Sequence, residues 1–207
     1  MMNDLRLYDL SSGVDAGLRP DALIIILSAA GEVAEQASFF TRQWHPRVPR
    51  SVFVGIEVDA VIGKTDLVGL RGAIAKLATA HSIQPFQIIL CGTGDAGRLA
   101  VELLLQGLIP ATGVIGLDIT LEPAAGRVLS TMAMVRLVQH RTKDDPSATR
   151  FHALIETLRQ QDVDVRSMML PDPAQASARA TVRAGGAFLA ELVANASCIA
   201  AKTGSAL

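Results

Sequence analysis

The chain has 207 residues and a formal net charge of −1; half of it is hydrophobic and 19% is charged. Such a length and apolar content exclude intrinsic disorder and allow one sizeable core, at roughly 100–200 residues per domain. The near-neutral balance argues against nucleic acid as a partner, which a basic excess would signal.

In chain order, short β-rich runs alternate with longer helical ones. Residues 22–27 form a continuous aliphatic run, as in a strand buried on both faces. A helix over 32–43 and a second strand over 51–56 follow. Residues 67–81 place apolar side chains at 67, 70, 74 and 77, a helical spacing. Then come a strand over 86–91, a helix over 96–105, and strands over 112–117 and 132–138. A helix over 147–160 carries Phe151, Leu154, Ile155 and Leu158 on one face. A strand over 163–170 and a terminal helix over 176–200 complete the chain. Strand alternating with helix implies an α/β fold: a mainly parallel sheet with helices on both faces, in three αβα layers. A ligand site is then expected at the carboxyl ends of the strands. The loops concerned are 28–31, 92–97, 118–127, 140–146 and 171–176.

The two cysteines, Cys91 and Cys198, are too few for a disulfide framework and lack C-x-x-C spacing. The longest unbroken apolar run, 22–27, falls far short of the ~20 residues of a membrane span. The first ten residues carry charges where a signal peptide needs an apolar stretch. These features together predict a soluble cytoplasmic protein without a membrane partner. Small and aliphatic residues over 184–200 suit either a homodimer interface or packing on the sheet, the commoner use.

The most informative stretch is Cys91, Gly92, Thr93, Gly94, Asp95, Ala96 and Gly97, between a predicted strand and a predicted helix. Gly92, Gly94 and Gly97 match G-x-G-x-x-G, the turn that brings backbone N–H groups to a pyrophosphate. Asp118, near the end of the next strand, stands where a ribose-binding acid would. The same stretch fits the nucleophile elbow, small-x-nucleophile-x-small, with Gly92 and Ala96 flanking Gly94. Glycine relieves the backbone strain of the elbow's centre and removes the nucleophile.

Residues 80–97 resemble the approach to the elbow in the carboxylesterase/phospholipase branch of the α/β-hydrolases: a helix ending in a G-I-D-P-like turn, a strand, then G-F-S-Q-G-G. Residues 138–146 resemble the strand and loop bearing H-G-x-x-D-x-x-V-P, which puts Asp144 at the acid position. Leu170 and Pro171 match the L-P before G-x-G-H, so the histidine position falls on Gln175. At the front, residues 27–31 match the L-H-G-x-G loop that supplies an oxyanion donor. The resemblance covers nearly the whole chain and implies a single lidless domain over residues 1–207.

A Ser–His–Asp machine needs a nucleophile, a base within reach of it and an acid to orient the base. The corresponding positions here hold Gly94, Gln175 and Asp144, and an amide cannot shuttle protons. No histidine follows His152, so the loop after the last strand supplies no base. Displaced nucleophiles are available in Asp95, Thr93 or Cys91, with His140 as a base from elsewhere. The blander reading gives Asp95 to the helix dipole, Cys91 to the core and His140 to a structural hydrogen bond. His45, His81, His140 and His152 form no metal-ligand spacing, and neither a metal nor a cofactor is expected. Backbone donors at Ala29 or Ala30 and at Asp95, with Ser28, Thr93 and Gly94 beside them, need no triad to bind a small anionic or ester-like ligand. The expectation is therefore an α/β-hydrolase-like binding protein without esterase activity. A hydrolase with a displaced nucleophile and a dinucleotide-binding protein are the alternatives.

Overall fold

The computed structural model describes residues 6–10, 19–59, 66–119, 133–140, 146–171 and 178–204. The expected acid and histidine positions, Asp144 and Gln175, lie outside these residues, as does most of the loop after residue 118.

The elements run β1 (Leu7–Asp9), β2 (Ala22–Ser28), α1 (Val33–Trp44), β3 (Ser51–Glu57), α2 (Leu67–Ala80) and, after a 3-10 turn at Pro85–Gln87, β4 (Ile88–Thr93). There follow α3 (Gly94–Leu105), β5 (Gly113–Leu117), β6 (Met134–His140), α4 (Pro146–Gln160), β7 (Asp164–Leu170) and α5 (Ala178–Gly204). They build one seven-stranded sheet in the order β1-β3-β2-β4-β5-β6-β7. Every neighbouring pair is parallel except β1 with β3.

The aliphatic run of β2 is buried along its whole length because strands flank it on both edges and helices cover both faces. Alternate residues feed two cores. Leu23, Ile25, Leu27 and Leu90 face α2, α3 and α4. Ile24, Ile26, Ile89 and Cys91 face α1 and α5. The two surfaces are therefore covered by different helices, as the three-layer expectation required.

Two boundaries and one strand differ from the sequence reading for identifiable reasons. The strand expected from residue 86 begins at Ile88, because Pro85 opens a 3-10 turn closed by a reciprocal bond between Gln84 and Gln87. Helix α3 starts at Gly94, two residues early, since the glycine itself enters the helix. Strand β1 was not anticipated; with three residues its pattern is too short to read, and pairing with β3 creates it.

Helix α5 joins its two neighbours to the sheet. The indole Nε1 of Trp44 donates to the Val182 carbonyl at 2.6 Å. Gly185 and Gly186 leave room for that ring, since a Cβ on Gly186 would stand 2.9 Å from it. Among the described residues one helix, Arg179–Lys202, is long and apolar enough by length and composition to cross a membrane. Counting unbroken apolar runs missed it, because polar residues interrupt the stretch. Its Leu189, Leu192 and Ala196 are fully buried against the sheet.

A buried cation fixes the same helix from below. Arg136 of β6 has no exposed side-chain surface and bonds Asp164 Oδ2 at 2.9 Å and Glu191 Oε1 at 2.7 Å. Its Nη1 also donates to the carbonyls of Val135 and Asp164. Burial disfavours the guanidinium charge, but the hydrogen bonds and charges of Asp164 and Glu191 outweigh it and raise its pKa.

Candidate functional site

The carboxyl ends of β2 and β4 carry Ser28 and Thr93, and Gly94 and Asp95 open α3 just beyond. Gly94 turns β4 into α3 with φ of +52°, the left-handed region that favours glycine. Among the described residues, a Cβ placed on it would meet nothing within 4 Å. Gly92 and Gly97 serve a different purpose. A Cβ on Gly92 would lie 2.7 Å from the Gly97 nitrogen, and one on Gly97 would lie 2.5 Å from the Gly92 carbonyl. These two glycines let α3 lean directly on β4, which accounts for them without a nucleotide.

Side chains beside the turn are disposed as follows. Thr93 is half-buried and makes no side-chain cap to the helix it precedes. Asp95 is 70% exposed and faces Arg98 at 3.7 Å, while Arg98 also pairs with Glu102 at 3.1 Å. Cys91 is fully buried, and burial pushes its thiol far above the ordinary range, so it stays protonated.

On the neighbouring strand, Ser28 ends β2 with no exposed surface, and its Oγ has no hydrogen-bond partner among the described residues. Ala29 and Ala30 are exposed, and Gly31 takes φ of +83° to complete the turn into α1. The Gly31 N–H donates to Glu57 Oε2 at 3.4 Å, at the end of β3.

A polar cluster that spacing could not reveal lies one strand further on. Asp118 follows β5 with φ of +48°, a conformation that Asp tolerates better than most residues. Its Oδ1 accepts from the backbone N–H of His140 at 2.9 Å. The His140 Nδ1 lies 3.1 Å from each carboxylate oxygen. Thr181 of α5 donates to Asp118 Oδ2 at 3.0 Å and sits 3.0 Å from the same ring nitrogen. The carboxylate thereby gathers the ends of β5 and β6 and the first turns of α5. Sequence reading had offered Asp118 to a ribose; its oxygens are instead engaged by His140 and Thr181. Nothing in the chain order linked Thr181 or Glu57 to the site, since each arrives from a distant element.

Of the remaining histidines, His45 and His81 cap the carboxyl ends of α1 and α2, which run back from the strand ends that carry Gly94. His152 is exposed on α4. Among the described residues no group of three or more His, Cys, Asp or Glu side chains could hold a metal ion.

No protein-family model and no curated protein matches the chain. Solved structures do. A carboxylesterase from Bacillus cereus superposes with a TM-score of 0.68 at 12% identity, covering 92% of this chain and 96% of its own. A putative carboxylesterase from Lactobacillus plantarum gives 0.65 at 13% identity, covering 91% and 92%. A dienelactone hydrolase-like promiscuous phosphotriesterase from metagenomic libraries gives 0.61 at 17% identity, covering 92% and 97%. Identities this low speak to architecture. With the strand order, the turn at Gly94 and this near-complete coverage, the chain has an α/β-hydrolase-like fold.

Proposed function

We propose that this protein keeps the ligand-holding frame of an α/β-hydrolase and binds a small acyl compound without turning it over. The observation that carries this reading is Gly94: the turn has the left-handed backbone of an elbow, no described residue within 4 Å of where a side chain would stand, and no side chain of its own to attack a ligand. Backbone donors at Ala29 or Ala30 and at Asp95 flank that space, beside the positive end of α3. The histidine position, Gln175, offers no base, and Asp144 then has nothing to orient.

The displaced-nucleophile reading has less in its favour. Cys91 is buried and protonated, Asp95 turns to Arg98, and the Nδ1 of His140 is spent on Asp118. A hydroxyl at Thr93 without a base is a weak nucleophile. For the dinucleotide reading, Gly92 and Gly97 are already explained by close packing of α3 on β4.

The test is hydrolysis of short-chain nitrophenyl esters. Purified protein should show no turnover that depends on Asp144. Clear turnover lost in Asp144→Ala would overturn the reading.

A further inference from the structure

Three side chains stand in a row across the tops of β3, β2 and β4. Ser28 pairs in register with Glu57, and Leu27 pairs with Gly92, which brings Thr93 level with Ser28. Ser28 shares the parity of Ile24 and Ile26, and Thr93 that of Ile89 and Cys91, so both hydroxyls lie on the α1/α5 side of the sheet. Adjacent positions in such a row are about 4.8 Å apart. The row runs from an acceptor to a set of donors. At one end, the Glu57 carboxylate takes only the long bond from Gly31 among the described residues. At the other, α3 begins just after Thr93, with its first N–H groups uncapped by that side chain. Between them the buried Ser28 Oγ is unpartnered among the described residues, although a buried hydroxyl ordinarily finds a partner.

Resting on the binding reading above, we propose that the ligand is a neutral primary carboxamide. Its carbonyl oxygen accepts from the Thr93 hydroxyl and the amide groups at the start of α3, and its two NH2 protons go to Ser28 and Glu57. A carboxylate has no donor to offer and meets the Glu57 charge at one end of the row. An ester has no donor either, and leaves the Ser28 oxygen and the Glu57 carboxylate without a proton to accept. A hydroxyl can both donate and accept, so Ser28 in the middle serves the amide at the point where its polarity changes.

The experiment compares hexanamide, methyl hexanoate and hexanoate on the intact protein at neutral pH. Ligand-observed NMR reads affinity and reports any hydrolysis in the same sample. Hexanamide should bind at least about tenfold more tightly than the other two, one hydrogen bond's worth of discrimination. Ser28→Ala should weaken hexanamide by a similar factor while leaving the melting temperature unchanged or higher, since it removes a hydroxyl that is unpaired in the free protein. Thr93→Val serves the same purpose if Ser28→Ala fails to fold. Glu57→Gln, which adds a donor, should narrow the gap between hexanamide and hexanoate. If the ester or hexanoate binds as tightly as the amide, or if the hydroxyl variants bind it undiminished, this inference fails and the binding reading stands. If none of the three binds, both fail.

Discussion

Placing a serine at Gly94 tests the elbow directly. The cost to stability follows from the backbone and not from crowding: φ is +52° and nothing lies within 4 Å of a new Cβ. A non-glycine residue in the left-handed region costs about 1–2 kcal/mol. For a chain of this size that lowers the melting temperature by about 2–8 °C, at roughly 2–4 °C per kcal/mol. Gly92→Ala should cost more, although its φ is not positive, because its methyl group would stand 2.7 Å from the backbone nitrogen of Gly97. Overpacking against main chain costs about 1–3 kcal/mol or more. Thermal unfolding of the two variants beside the parent gives the ranking, and a nitrophenyl ester assay on Gly94→Ser gives the chemistry. The serine should bring no appreciable hydrolysis if, as proposed, Gln175 stands at the histidine position. A large gain in ester turnover from that single change, or a Gly94 variant less stable than the Gly92 one, would refute the reasoning.

Three further outcomes follow from contacts outside the turn. Glu191→Ala should destabilise by about 2–4 kcal/mol, because it strips a partner from a buried guanidinium. Arg136→Met should cost less, as Asp164 and Glu191 are both partly exposed and can be hydrated; urea midpoints would decide the order. Thr181→Val should cost about 1–2 kcal/mol by removing the donor to Asp118. It should also loosen the adjoining Trp44–Val182 contact, visible as a fluorescence change from the sole tryptophan. A thiol reagent near pH 8 should titrate one cysteine, the exposed Cys198, in the native protein and two after denaturation. Cys91 stays silent because burial raises its pKa and keeps the thiol protonated at that pH; rapid native labelling of both thiols would contradict this.

The amino-acid order by itself determined the layered α/β architecture, because strands buried on both faces must be aliphatic throughout and covering helices must repeat every few residues. It also announced the turn at 92–97, where small residues are imposed by close approach. Local pattern failed where a distant partner decides. Strand β1 exists only through β3, and Asp118 found its partners in β6 and α5 rather than in a ribose. The pairing of Ser28 with Glu57, and the burial of Arg136 between Asp164 and Glu191, depend on register and on which helix crosses which strand. Hydrophobic periodicity tells a residue which way to face, while a polar contact needs its partner's position in space, and only folding supplies that.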